Sequence, residues 1–313
     1  MFWSDKRVMV TGGYGFLGTY VVEKLRERGC SRVSRMHSRG YDLRNREDVN
    51  RAFQDQDPNI VINLAAACGG IGANSENPGK FVYDNLMMGM NLMDEARMSG
   101  HVEKFVQIGS VCSYPSFSPC PIKEDDIWNG YPEPTNAPYG VAKRALMEMA
   151  QAYRKQYGLN AINLIPVNLY GPRDDFDPRR SHVVPALVRK CVDARNAGTP
   201  FHVWGTGTAS REFLHVRDCA EAIVLAAERY DKPEPINLGT GKEILISDLV
   251  KAVADAAGFT GPIIWDATKP DGQMRRCLDV TRAEKEFGFK AQTDFAQGIK
   301  ETVEWYERTQ CVR

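Results

Sequence analysis

The stretch Arg7-Val-Met-Val-Thr11-Gly12-Gly-Tyr-Gly15-Phe-Leu-Gly18 decides the fold. Its first residues form a short apolar strand, the run to Gly18 is a glycine-rich turn, and Thr19 to Gly29 places Val21, Val22 and Leu25 at helical spacing. A glycine fingerprint carries meaning in that setting, between a strand and a helix. Gly12 permits the tight turn, Gly15 lets a pyrophosphate approach backbone N–H groups, and Gly18 lets the helix pack on the strand.

Working outward, strands alternate with helices. Strands are predicted at 31–36, 60–64, 105–108 and 161–166, and helices at 46–56, 81–99 and 143–157. That alternation implies a parallel sheet covered on both faces, a doubly wound Rossmann α/β domain. Past Pro172 the texture changes: "GPRDDFDPRRSHVVP" (171–185) is polar and punctuated by proline. Further helices are predicted at 185–196, from Asp218, at 247–257 and at 295–308, with a strand at 201–204. The expected division is a dinucleotide-binding domain of 1–172 plus about 213–240, and a smaller α/β substrate domain of 173–212 and 241–313.

Forty basic residues balance forty acidic ones in 313. This removes the electrostatic argument for nucleic acid or an anionic membrane as partner, and an anionic ligand must be held by local charges. The eight cysteines (Cys30, Cys68, Cys112, Cys120, Cys191, Cys219, Cys277, Cys311) lie far apart, without metal-ligand spacing, so no metal is expected. They read as reduced thiols of a cytoplasmic enzyme. The N-terminal residues hold no signal-like apolar region, and no apolar run is long enough for a bilayer.

The end of the second strand selects between nicotinamide cofactors. Here it reads Ser34-Arg35-Met36-His37-Ser38-Arg39, with no acid for a ribose 2′-hydroxyl. Basic and hydroxyl groups suit a 2′-phosphate and hence NADP(H), although they read equally as exposed loop charges. Tyr139 and Lys143 stand four residues apart, one above the other on a helix face. A phenol works as an acid–base group near neutrality only if a neighbouring charge favours its phenolate, which Lys143 can supply. Taken singly, Cys112 in "GSVCSYP" (109–115) reads as a small buried apolar residue, His182 as an exposed loop histidine, and Arg211 beside Glu212 as a surface ion pair.

Together, "NLAAACGGIGAN" (63–74), "GSVCSYP", "EPTNAPYGVAKR" (133–144), "PVNLYGPRDDFDPRRSHVVPAL" (166–187), "VWGTGTASREFLHVRD" (203–218) and "WDATKPDGQMRRCLD" (265–279) resemble the extended short-chain dehydrogenase/reductase family. The resemblance is to the branch that epimerises C3 and C5 and reduces C4 of a GDP-4-keto-6-deoxy-hexose. It implies Ser110, Tyr139 and Lys143 for hydride chemistry, and Cys112 and His182 for proton transfer. For the cofactor it implies Gly12, Gly15, Phe16, Leu17, Gly18, Arg35, Ser38, Arg39, Asp42, Leu43, Leu64, Ala65, Ala66, Pro166, Asn168 and Leu169, with Tyr139, Lys143 and His182. For the guanosine diphosphate it implies Lys190, Trp204, Arg211 and Arg276. A homodimer is implied through the methionine-rich helix around Met87 to Met98 and the helix of Lys143.

Gly72 stands where the family often has histidine, and 173–180 departs from its usual "NDNFHPENS". Both changes bear on the sugar. A heptose, a 6-hydroxylated hexose or a 3,6-dideoxy sugar are alternatives, as is an epimerase or isomerase without net reduction.

Overall fold

The computed structural model describes residues 2–269 and 271–310. Strand β1 (Arg7–Thr11) leads through the glycine turn into α1 (Phe16–Glu27). There follow β2 (Arg32–Arg35), α2 (Arg46–Gln56), β3 (Ile60–Asn63), α3 (Ile71–Glu76), α4 (Pro78–Ser99), β4 (Lys104–Ile108), α5 (Ala137–Tyr157) and β5 (Ala161–Pro166). Next come β6 (Asn168–Tyr170), α6 (Val183–Ala197), β7 (Phe201–Trp204), β8 (Ser210–Arg211), β9 (Phe213–His215), α7 (Val216–Arg229) and β10 (Ile236–Leu238). The chain finishes with β11 (Ile244–Leu245), α8 (Ile246–Ala257), β12 (Ile263–Asp266), α9 (Thr281–Phe287) and α10 (Phe295–Gln310).

The central sheet has the order β10-β5-β4-β3-β1-β2, and every neighbouring pair is parallel. Its strands bury alternate residues on opposite faces, as a period of two requires. Val8, Val10, Ile60, Ile62, Val106, Ile162 and Leu164 pack with α1 and α7. Met9, Val61, Phe105 and Ala161 pack with α2 and α4 on the other face. The strand order reverses between β1 and β3, and ligands of such sheets sit at the carboxyl ends beside that reversal.

A second core joins α6, β7, α8 and α10 through Val188, Cys191, Phe201, Leu249, Val253, Ile299 and Val303. The chain enters it after β5, returns to the first core with α7 and β10, leaves with α8, and returns again at Leu278 to Phe289. The predicted doubly wound Rossmann sheet with a smaller α/β unit is therefore the observed architecture.

Two starts were misjudged in the sequence. Helix α5 begins at Ala137 rather than 143 because Pro138 occupies its first turn, where the missing N–H costs nothing. Helix α4 begins at Pro78 for the same reason. Cys30, Cys68, Cys112, Cys120, Cys191, Cys219 and Cys277 are free thiols, and Cys311 lies outside the described residues. Among the described residues no helix is long and apolar enough to cross a membrane, and no cluster of side chains could hold a metal ion.

Candidate active site

Two backbone segments form the lips of the reversal. Gly12 has φ +65°, and a Cβ there would lie 3.1 Å from the Leu64 carbonyl carbon and 3.2 Å from the Ala65 nitrogen. The glycine turn thus abuts the Leu64-Ala65-Ala66 segment that leaves β3. A Cβ at Gly18 would run into the Gly12 carbonyl oxygen, so α1 can start this close to β1 only with glycine there. Phe16 and Leu17 pack the first turn of α1 on the core, and that turn carries no acidic side chain to compete for its free N–H groups.

The residues after β2 divide into two kinds. Arg35 donates from Nε to the Gly13 carbonyl at 2.9 Å, and its guanidinium lies 3.9 Å from the Tyr14 ring centroid, so it stiffens the turn. Ser38 and Arg39 are exposed and face no carboxylate of their own strand end. Asp42 is held by Arg44, which keeps its carboxyl well below the usual range, and Leu43 is buried in the core. A pyrophosphate fits the bare turn, and a ribose phosphate fits Ser38 and Arg39.

The catalytic candidates converge at the end of β4. Ser110 caps a single 3-10 turn, Val111–Ser113, its Oγ accepting from the Cys112 N–H at 3.2 Å. Helix α5 crosses against this turn at Gly140, where any Cβ would strike the Cys112 carbonyl oxygen. That crossing brings Tyr139, one residue before Gly140, against the Ser110–Cys112 turn, close enough for Ser110 and Cys112 to act on the phenol. Lys143 is 3 % exposed and donates from Nζ to the Ile108 carbonyl at 3.0 Å, with the Tyr139 ring centroid 5.7 Å away.

Burial dominates the charges here. It pushes Tyr139 well above its ordinary value, against the pull of Ser110, and brings Lys143 down to about 8. The expected lowering of the phenol by Lys143 is therefore reversed, because both groups are desolvated and the ammonium turns to a backbone carbonyl. Tyr139 is therefore a protonated phenol near neutrality. Desolvation also raises the half-buried Cys112, opposed by Ser110 and Arg276, and lowers His182, opposed by Asp175, although His182 stays exposed at the surface as a loop histidine.

His182 caps α6 at the end of the polar segment. That segment meets the loop after β3 backbone to backbone: Gly70 N–H donates to the Arg180 carbonyl at 3.1 Å, and a Cβ at Gly70 would lie 2.8 Å from the Ser181 oxygen. Two neighbours of the site gave no separate signal in the sequence. Cys68, in that loop, is close enough to shift Tyr139, and its own thiol responds to Lys143, Asp174 and Cys112. Asp174 accepts the Asp175 N–H at 2.7 Å, and burial raises its carboxyl to about 7. Only their place within quoted motif stretches could have drawn attention to them.

On the second core, Trp204 is 62 % exposed, with Lys190 Nζ 4.5 Å and Lys269 Nζ 5.7 Å from its ring centroid. An open indole between two ammonium groups suits a purine carrying phosphates. Arg211 donates to the Ser210 and Asp271 carbonyls at 2.7 and 3.2 Å. Glu212 is not its ion-pair partner: the carboxylate is buried, accepting N–H groups of Thr240, Gly241 and Leu278. Asn168 Nδ2 donates to the Glu212 carbonyl at 3.1 Å, and Pro166 and Leu169 flank the crossing from β5 to β6 beside it. Arg276 is buried, donating to the Val111 carbonyl at 2.7 Å, to Tyr114 at 3.1 Å and to Gln273 Oε1 at 2.6 Å. Its guanidinium underpins the Ser110–Cys112 turn.

Residues 8–239 match the NAD dependent epimerase/dehydratase family. A probable GDP-L-fucose synthase 1 of Oryza sativa subsp. japonica is 40 % identical over 308 residues, covering 97 % of this chain and 94 % of its own. A GDP-L-fucose synthetase of Naegleria fowleri bound to NADP superposes with a TM-score of 0.90 at 30 % identity, covering 98 % of this chain and 95 % of its own. A GDP-6-OMe-4-keto-L-xylo-heptose reductase of C. jejuni superposes with a TM-score of 0.92 at 28 % identity, covering 98 % and 99 %.

Proposed function

The chain belongs to the NAD dependent epimerase/dehydratase family, and from that premise we propose that it is an NADP(H)-dependent GDP-sugar 3,5-epimerase/4-reductase acting on a GDP-4-keto-6-deoxy-hexose. The observation that carries the reading is the meeting of Tyr139 and Cys112 at the Ser110 turn, where Gly140 of α5 packs on the Cys112 carbonyl, since the two halves of the reaction need a thiol and a phenol at one ring.

A C4 ketone acidifies the protons on C3 and C5. Cys112 removes one and His182 returns one on the opposite face, while Ser110 and Tyr139 donate to the enolate oxygen. NADPH, bound at the glycine turn, supplies the hydride for C4. Tyr139 then protonates the C4 oxygen, and Lys143 stabilises the phenolate that remains. Trp204 stacks the guanine, Lys190 and Arg211 meet the diphosphate, and Arg276 acts from beneath the turn. Ser38 and Arg39 take the 2′-phosphate.

We assign the cofactor to 1–172 with 213–240, and the nucleotide sugar to the rest. Exposed Tyr83, Met90 and Met98 on α4, with Val141 and Tyr157 on α5, support a homodimer through that face. Free thiols and the absence of a spanning helix among the described residues support a cytoplasmic site of action.

The test is incubation with GDP-4-keto-6-deoxy-mannose and NADPH. Stoichiometric NADPH oxidation with inversion at C3 and C5, read by proton NMR, is the expected result. Sugar conversion without NADPH consumption would replace the reading by an isomerase. A GDP-heptose is the second reading, favoured by Gly72, whose Cβ would meet nothing within 4 Å.

A further inference from the structure

Polar side chains sit where a parallel sheet ordinarily buries aliphatic ones. Thr11 and Asn63 end β1 and β3, Gln107 is the last residue but one of β4, each is at most 1 % exposed, and they stand in register: Thr11 opposite Asn63, Asn63 opposite Gln107. Their hydrogen bonds run one way. The Ala65 N–H donates to Thr11 Oγ1 at 3.1 Å, Thr11 Oγ1 donates to Asn63 Oδ1 at 2.8 Å, and Asn63 Nδ2 donates to Gln107 Oε1 at 3.0 Å. Gln107 Nε2 then donates to the Ile108 carbonyl at 2.9 Å, the same oxygen that takes Lys143 Nζ at 3.0 Å.

That oxygen lies one residue past the last β3–β4 register pair, at the position opposite Leu164 of β5, and two side-chain donors reach it. Because each amide has its acceptor and donor ends fixed by the one before, the Gln107 N–H can point only at Ile108. The line joins the strand end that opens the glycine turn to the lysine of the hydride site, through groups of which none is exposed to solvent.

We propose that Gln107 is a positioning residue of the reductase, sharing the Ile108 carbonyl with Lys143 and thereby fixing where the ammonium stands relative to Tyr139. The proposal rests on the functional reading above. Among the described residues, Lys143 Nζ donates one hydrogen bond, to the Ile108 carbonyl, and its titratable neighbours are Cys68, from the loop after β3, and Tyr139, one turn earlier on α5. A second N–H on its acceptor weakens the hold on its proton and confines its direction of approach.

The test is Gln107→Met in the full chain, with two readouts. In NADP-free protein the Lys143 side-chain carbon resonance, assigned by its loss in Lys143→Arg, is titrated by NMR. Its midpoint moves up, since the competing N–H is gone. In turnover, kcat for C4 reduction falls roughly 10-fold or more while the KM for the GDP-sugar holds, the pattern of a misplaced catalytic group. An unchanged midpoint overturns the proposal even if kcat drops, because loss of packing would do that much. The midpoint is read without substrate, so a failure of the GDP-sugar assignment leaves it standing. If Gln107→Met does not fold, Gln107→Glu keeps the shape and replaces the donor by an acceptor; its midpoint rises further, and no rise overturns the inference equally.

Discussion

The two lips of the sheet reversal and the Trp204 face are built by different means. At the lips, backbone meets backbone: Gly12 against Leu64 and Ala65, Gly18 against Gly12, Gly70 against Ser181. On the second core, the proposed nucleotide surface is made of side-chain tips, Trp204 between Lys190 and Lys269 and Arg211 at a strand end. A backbone cradle admits no added atom, whereas a set of side chains loses strength by degrees. The cofactor side should therefore fail steeply under substitution and the nucleotide side gradually.

The seam between them should show the largest effect. Tyr139→Phe removes the phenol beside Ser110 and one turn from Lys143, and we expect C4 reduction to fall about 10²–10⁴-fold by NADPH absorbance, with NADPH affinity retained. If reduction survives, the phenol is not the acid and the two regions do not meet at it. Next is Gly18→Val, which forces side-chain carbons onto the Gly12 oxygen. A cost of about 1–3 kcal/mol from overpacking, seen as a lowered Tm with weakened NADPH binding, tests whether the lip is as intolerant as its geometry says.

On the gradual side, Trp204→Ala should raise the KM for the GDP-sugar about 10-fold, as one stacked base is worth ~1–3 kcal/mol, and leave NADPH titrations unchanged. A parallel loss of NADPH binding would merge the two regions. The smallest expected effect is no effect. With Cys112 raised above 9.0 and His182 lowered below 6.5, the thiolate–imidazolium pair is a constant minor fraction between those limits. Exchange of C3 and C5 protons with deuterium should be flat from pH 6.5 to 9.0, falling below the His182 limit as thiolate is lost and above the Cys112 limit as imidazolium is lost. A steep slope inside that window would show that other groups move these protons.

What the sequence disclosed follows the same division. The glycine turn, the helix at Arg46–Gln56 and the Tyr139–Lys143 spacing are local patterns, and local chemistry writes them. Helix α3 was not foreseen, because Gly69-Gly-Ile-Gly reads as a turn although Gly70 in extended backbone can open a helix. Cys68 was read as one more reduced thiol, since its place beside Tyr139 depends on how the loop after β3 meets the segment at Arg180. Gln107 lies in no motif, and Thr11 and Asn63, though inside the opening stretch and "NLAAACGGIGAN", are marked there for no role of their own. Their meaning comes from register between strands that lie 44 and 52 residues apart in the chain. Arg276 was placed with the diphosphate by position, whereas its guanidinium is spent on carbonyls of the 111–115 turn, which spacing alone does not reveal.

The chain passes between its two cores several times, with Leu214 to Leu238 and then Leu278 to Phe289 returning to the first and Val303 ending in the second. No single cut yields two fragments that each own a complete interior. A protease that nicked the exposed Arg179–Arg180 segment would leave both pieces interlocked, and a truncated gene product would lack parts of both halves at once. Swapping the second core between relatives therefore calls for grafting several separate stretches together, not one contiguous block.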